Sequence, residues 1–254
     1  IAKIINVFQA HPNNWRSLAL GDKKVCEALK PLVAVPTTAG SGSEATHFAV
    51  VYVDGVKYSI ADKTMLPDMS ILNPLFISGL EGRNLWSPAF DALCQSIESY
   101  WSANATSTSL KSSYEALRLL WSTILQAPCL SALDKSNLLV AANLAGKAIN
   151  ETKTTAPHAL SYFLSSKYRI PHGNAVGIFM KPFFSFNFEM AVRGNTNCLS
   201  SATLEKRMKE ILLLMDCETP DEAEQAWQKA MERCGLCINL RDAGLQSEDE
   251  IKDI

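Results

Sequence analysis

A chain of 254 residues, 47% hydrophobic and 20% charged, holds enough apolar material for one large domain or two modest ones, which excludes the disordered class. A formal charge of -2, with Lys and Arg scattered along the chain, gives no footprint for nucleic acid or anionic lipid and points to a small-molecule partner. No apolar run approaches the roughly 18 residues of a membrane span, and the start lacks the charged n-region of a secretion signal, so a cytosolic protein is expected.

The first 30 residues read as helix, loop and helix, the first helix covering Ile1 to Phe8. Leu32 to Val35 is a short apolar run stopped by Pro36, as a buried strand would be. A loop spans 36–46. Phe48 to Ile60 then alternates apolar and polar residues around Asp54-Gly55, a strong hairpin signal. After Pro74 the texture changes. From Leu85 onward helical periodicity dominates, and the spacings of Leu110, Tyr114, Leu117, Leu120 and Ile124 mark one helix face. The expected division is an α/β part over 1–77 and an all-α part over 78–254. Since a strand-helix-strand unit takes about 30 residues, 1–77 is too short for a complete parallel sheet, and further sequence is expected upstream.

The seven cysteines form no disulfide framework and are expected to be reduced and mostly buried. Cys234-Gly-Leu-Cys237 has the spacing of a redox pair or half a zinc site. No second pair follows, and its context is a helix and a turn, which favours a structural role.

Two constellations remain. Loop 36–46, Pro-Thr-Thr-Ala-Gly-Ser-Gly-Ser-Glu-Ala-Thr, offers hydroxyls, backbone N–H groups and close approach at its glycines, all suited to a phosphate or a ribose. It is neither a P-loop nor a dinucleotide fingerprint, and a plain turn reads equally well. In the second, Asp91 and Gln95 stand four apart on one helix face, while His158 and His172 each follow a proline near a helix start. One carboxylate, two imidazoles and an amide oxygen make an ordinary set for Zn²⁺ or Fe²⁺, although a lone His is more often simply structural.

The phrases PTTAGSGSEAT, DALCQSIESYWS, LAGKAINETKTTAPHALSY and IPHGNAV, in this order across nearly the whole chain, resemble the iron-containing alcohol dehydrogenases. The resemblance implies a dehydroquinate synthase-like fold, a partial α/β dinucleotide-binding domain followed by an all-α metal-binding domain. It also implies NAD(P) and one divalent metal, Fe or Zn. Carried over by position, Asp91, Gln95, His158 and His172 would hold the metal. Thr37, Thr38, Ser41, Ser43 and Lys57 would face the dinucleotide. This sequence has Gln95 where the family usually has His, and Tyr162 where many members have a second His near the substrate. Gln oxygen is a harder, weaker donor than imidazole, and Tyr162 would donate a proton or hydrogen bond to the substrate.

Within the family the phrases look most like the phosphonoacetaldehyde reductase branch, and Lys153 would meet the phosphonate. The implied reaction is hydride transfer between NAD(P)H and a small aldehyde. The rival readings are a sugar-phosphate cyclase of the dehydroquinate synthase type and a degenerate, non-catalytic subunit. The family's glycine-rich phosphate loop would stand just before Ile1, so the chain is expected to correspond to the latter two thirds of a longer enzyme. Its apolar helices leave room for a homodimer.

Overall fold

The computed structural model describes residues 1–194 and 199–245, the side chain of Lys57 excepted. Helices α1 (Ala2–Ala10) and α2 (Trp15–Leu20) open the chain, and Gly21 closes α2 with a left-handed φ of 84°. Four strands follow: β1 (Val33–Ala34), β2 (Phe48–Val53), β3 (Val56–Ala61) and β4 (Met69–Ser70). β2 and β3 form the expected hairpin, pairing Phe48 with Ala61 and Val53 with Val56. Asp54 and Gly55 both have positive φ, 52° and 79°, the geometry a two-residue turn needs to match strand twist.

β1 corrects one expectation. It is only two residues long and pairs in parallel with β4 alone, and Val33 and Val35 are 52% and 40% exposed rather than buried. Among the described residues no further strand joins that pair, and with the turn Ser43–Ala45 packed on β4, Leu32 and Ala34 are half-buried while Val33 and Val35 stay exposed.

The remainder is helical: α3 (Gly82–Trp101), α4 (Ser107–Ile124), α5 (Ala132–Thr152), α6 (Ala156–Lys167), α7 (His172–Val192), α8 (Ser201–Leu214) and α9 (Pro220–Arg233). Reciprocal capping boxes start α4 (Thr106 with Ser109) and α5 (Ser131 with Asp134), satisfying N–H groups that have no intrahelical partner. On α4 the buried face carries Leu117, Leu120 and Ile124 as the periodicity required. Tyr114 lies at its edge, 41% exposed and against the Tyr100 ring.

α3 is the central element, packed by α4, α5 and α7, and every residue from Leu85 to Trp101 except Pro88 is buried. Phe90, Leu93 and Ile97 of α3 join Leu117, Leu138, Phe184 and Trp227 in the main core. The Trp227 indole N–H donates to the Gly177 carbonyl at 2.9 Å, so its ring can be buried without leaving a donor unpaired. A smaller cluster of Val7, Leu18, Ala19, Val53, Ile60 and Met65 lies under α1, α2 and the hairpin.

The cysteines are less buried than expected. Of those described, Cys94 and Cys234 are buried, Cys217 and Cys237 are half-buried, and Cys26 and Cys129 are exposed, both of these in connections rather than helices. Cys198 lies outside the described residues. No helix among the described residues is long and apolar enough to cross a membrane.

Candidate metal centre and adjoining loop

A helix buried nearly all round has to account for every polar side chain it carries. On α3, Asp91, Gln95 and Glu98 stand at spacings of four and three, which places them along one stripe. The ends of two other helices meet that stripe. α6 begins at Ala156 and carries His158 in its first turn, and α7 begins at His172 itself.

The approach of α7 depends on a missing side chain. A Cβ on Gly173 would collide with the Ser87 carbonyl oxygen and stand 2.7 Å from the Asp91 backbone nitrogen. Ser87 Oγ accepts the Asn174 N–H at 3.1 Å, capping α7 from α3. The glycine after His172 therefore lets the two backbones touch and brings its imidazole to Asp91.

The result is a cluster of Asp91, His158 and His172 whose potential ligand atoms all lie within 4.8 Å of one another. His158 Nε2 is 3.1 Å and His172 Nε2 3.9 Å from Asp91 Oδ1. A tetrahedral ion with bonds of about 2.1 Å wants donors about 3.4 Å apart, close to these separations. Asp91 and His158 are buried, while the His172 side chain is 40% exposed and leaves the cluster open on one side. The Tyr162 ring stacks on His172 at 5.9 Å, and His158 meets His172 edge to face at 5.5 Å.

Gln95 tests whether the cluster suits an ion. Its Oε1 is buried with no hydrogen-bond partner, a rare and costly condition, on the stripe of α3 that carries Asp91. The Gln95 amide N–H hydrogen-bonds Asp91, and turning the amide over would direct its oxygen to a cation beside Asp91, where carboxylate, two imidazoles and amide oxygen make a set that fits a divalent ion.

Without an ion, protons hold the charges together. Burial would lower the His158 pKa, but the Glu98 carboxylate and the Asp91 hydrogen bond outweigh it and push the value up to about 9. For Asp91, burial works toward a higher pKa, yet the His158 hydrogen bond and the neighbouring imidazoles hold the carboxyl below the usual range. Burial raises the Tyr162 phenol, as do the nearby carboxylates.

Glu98 is a site residue that the sequence reading missed. It is fully buried, contacts His158 Nδ1, and accepts from the Thr155 N–H at 2.7 Å and Thr155 Oγ1 at 2.8 Å. Its spacing of seven from Asp91 on a helical segment was the available signal.

Loop 36–46 lies against the same helices. Its side chains sort by position: Thr37, Thr38, Ser41 and Ser43 are exposed, whereas Ala39, Gly40, Gly42, Glu44, Ala45 and Thr46 are buried. The two glycines answer to packing. A Cβ on Gly40 would stand 2.6 Å from Pro88 Cβ, and one on Gly42, whose φ is 57°, would strike Gly146 of α5. Glu44 accepts from Asn143 Nδ2 at 3.0 Å, binding the loop to α5 again. Pro88 is three residues from Asp91, so the loop is fixed one helical turn from the cluster.

Lys3, also unforeseen, secures the far end of the loop, donating to Thr46 O at 2.5 Å and to Thr46 Oγ1 and Phe48 O, both at 3.1 Å. Burial lowers its pKa to about 8 against the pull of Glu44. Lys57 falls in β3 opposite Tyr52, and its side chain lies outside what is described. Lys153 caps α5, exposed, with φ 60° and ψ -176°, a backbone region normally left to glycine.

Residues 87–253 match the model of the Fe-containing alcohol dehydrogenase family, C-terminal part, and residues 1–74 that of iron-containing alcohol dehydrogenase. The phosphonoacetaldehyde reductase of Streptomyces viridochromogenes is 30% identical over 81% of this chain and 53% of its own length. The 1,3-propanediol dehydrogenase of Klebsiella pneumoniae is 29% identical over 97% of this chain and 63% of its own. A solved 1,3-propanediol oxidoreductase superposes with a TM-score of 0.80 at 26% identity, over 96% of this chain and 63% of that one. Sulfoacetaldehyde reductase from Bifidobacterium kashiwanohense, in complex with NAD+, shares the fold with a TM-score of 0.85 at 24% identity, over 99% of this chain and 64% of that one. The chain thus spans less than two thirds of each of these proteins.

Proposed function

Because the chain belongs to the iron-containing alcohol dehydrogenase family, we propose that it serves a metal-dependent aldehyde reductase that uses NAD(P)H. The observation that carries the reading is the convergence of Asp91, His158 and His172 beside the unpartnered Gln95 oxygen. These four side chains would hold a divalent ion, Fe or Zn, which when bound polarises an aldehyde oxygen, while the nicotinamide supplies hydride.

The chain's own residues do the positioning. Thr37, Thr38, Ser41 and Ser43 present hydroxyls on the exposed side of a loop whose other side is fixed to α3 and α5, and with Lys57 they would bind the dinucleotide. Tyr162 stands against His172, and its phenol would donate to the substrate oxygen. Burial that raises its pKa keeps it protonated for that purpose.

The substrate reading is a short aldehyde bearing a tetrahedral anion, phosphonoacetaldehyde first. It is supported by the phosphonoacetaldehyde reductase relative and by a fold neighbour that handles sulfoacetaldehyde. Lys153 is the cation proposed to meet that anion. A non-glycine residue held at φ 60° and ψ -176° stores backbone strain of the kind that collects at functional sites. The reading assigns the chain to the cytosol, without nucleic-acid or membrane partners, with room on its apolar helices for a homodimer.

The test is NADH oxidation by the metal-loaded protein with phosphonoacetaldehyde against simple aldehydes. A preference of about tenfold, or 1.4 kcal/mol, is expected for the phosphonate, and Lys153→Ala should erase it. His172→Ala should abolish metal retention and turnover, whereas Ser41→Ala should chiefly weaken cofactor binding. Full metal occupancy and rate in the His172 variant would overturn the ligand assignment. Absence of both metal binding and NADH oxidation in the parent protein would favour a non-catalytic subunit.

A further inference from the structure

Glu98 is a carboxylate with no access to solvent, and both of its oxygens are spent on one short segment, 155–158. One oxygen accepts the Thr155 N–H at 2.7 Å, Thr155 Oγ1 at 2.8 Å and, more distantly, the His158 N–H at 3.5 Å. The other meets His158 Nδ1. Thr155 Oγ1 also accepts from the Trp101 indole at 3.2 Å, which fixes the direction of its own donation toward Glu98. The carboxylate therefore supplies the N-terminal cap of α6, where the cap residue Thr155 makes no side-chain cap bond of its own.

Seven residues of helix separate Asp91 from Glu98, about 10 Å along the axis of α3. The His158 ring bridges the two, with Nδ1 on Glu98 and Nε2 3.1 Å from Asp91. Both ring nitrogens face a carboxylate; a cation beside Asp91 and His172 would take the place of the Nε2 proton, while the Glu98 acceptor keeps the other proton on Nδ1 and so leaves the Nε2 lone pair for the ion.

We propose that Glu98 is the positioning residue of this centre, setting both the tautomer and the placement of His158 so that Nε2 is presented to a divalent cation. The proposal rests on reading Asp91, His158 and His172 as the metal ligands.

Glu98→Gln separates positioning from capping. Glutamine keeps the volume and an acceptor for the Thr155 N–H, but its amide N–H faces Nδ1 and drives the imidazole proton to Nε2, where it blocks ligation. Thr155→Val is the complement, removing a bond to the carboxylate without touching the ring. Zn²⁺ affinity by chelator competition and the melting temperature of the metal-free chain are measured for the parent and both variants. Glu98→Gln should weaken Zn²⁺ binding about 10- to 100-fold, the range expected when a ligand's outer partner is lost. Thr155→Val should lower the metal-free melting temperature and leave the affinity within about threefold.

An affinity within about twofold of the parent in Glu98→Gln overturns the proposal. Should that variant not fold, the ¹⁵N spectrum of the Zn²⁺-loaded parent decides: a protonated Nδ1 on His158 supports the proposal, and a protonated Nε2 overturns it. A parent that binds no Zn²⁺ instead refutes the metal reading beneath it.

Discussion

Gln95 and His158 are where single side chains set the character of the cluster. Exchange of the Gln95 amide oxygen for imidazole replaces a hard, weak donor with one that borderline ions prefer. Gln95→His is therefore expected to tighten Zn²⁺ binding by about tenfold or more in chelator competition; an unchanged affinity would mean that residue 95 does not face the ion. His158 makes a pH prediction for the metal-free chain. Its folded pKa of about 9 exceeds the unfolded value near 6.5, so the folded state binds the extra proton. The stabilisation is complete below about 6.5 and is lost as pH rises through 9. Lys3 acts in the opposite sense, its folded pKa lying below its unfolded one, but only above about 8. Between pH 6.5 and 8 the melting temperature in chelator should therefore fall, and a flat profile there would contradict the buried ion pairing.

Between elements, the decisive contacts are backbone on backbone. α7 reaches α3 only because residue 173 has no side chain, and the loop reaches α5 only because Gly42 faces Gly146. Gly173→Ala forces α7 away from the Ser87 carbonyl, an overpacking expected to cost about 3 kcal/mol and about 6–12 °C in melting temperature. Because the same shift carries His172 from Asp91, Zn²⁺ affinity should fall with it. A variant as stable as the parent would show that the helices can separate without penalty. Both glycines in loop 36–46 were legible as sites of close approach. Reading them as room for a ligand missed that Gly40 and Gly42 make room for Pro88 and Gly146, which leaves Thr37, Thr38, Ser41 and Ser43 facing outward.

At the scale of the whole molecule, two apolar clusters of unequal size divide the chain. The helical core spans α3 to α9 and takes in Ala39 of the loop and Ile77, whereas six buried side chains support α1, α2 and the hairpin. We propose the division at about residue 77, with Ala39 and Ile77 of the first unit docked into the helical core. Local stability follows buried apolar contact, so amide exchange should be slowest in α3 and α5 and markedly faster in α1 and the hairpin. Uniform protection would count against two units. The candidate cluster lies on α3, α6 and α7, so ion binding should raise protection at the starts of α6 and α7 more than in the hairpin.

The sequence by itself determined the elements whose signals are local. The hairpin at Asp54-Gly55 and the helical periodicity after Leu85 follow from turn chemistry and spacing, and Asp91, Gln95, His158 and His172 could be named as candidates from their phrases, none of which needs a distant partner. Tertiary structure decided what depends on neighbours. Val33 and Val35 are exposed because, among the described residues, β4 is the one strand paired with β1, and no feature of the run Leu32 to Val35 encodes that. Glu98 emerged only when α6 met α3, since a buried carboxylate reads like any surface Glu until its partners at Thr155 and His158 arrive from 57 and 60 residues away. Burial and hydrogen-bond partnership are properties of the packed chain, and in this protein they let α3 carry Asp91, Gln95 and Glu98 at the centre.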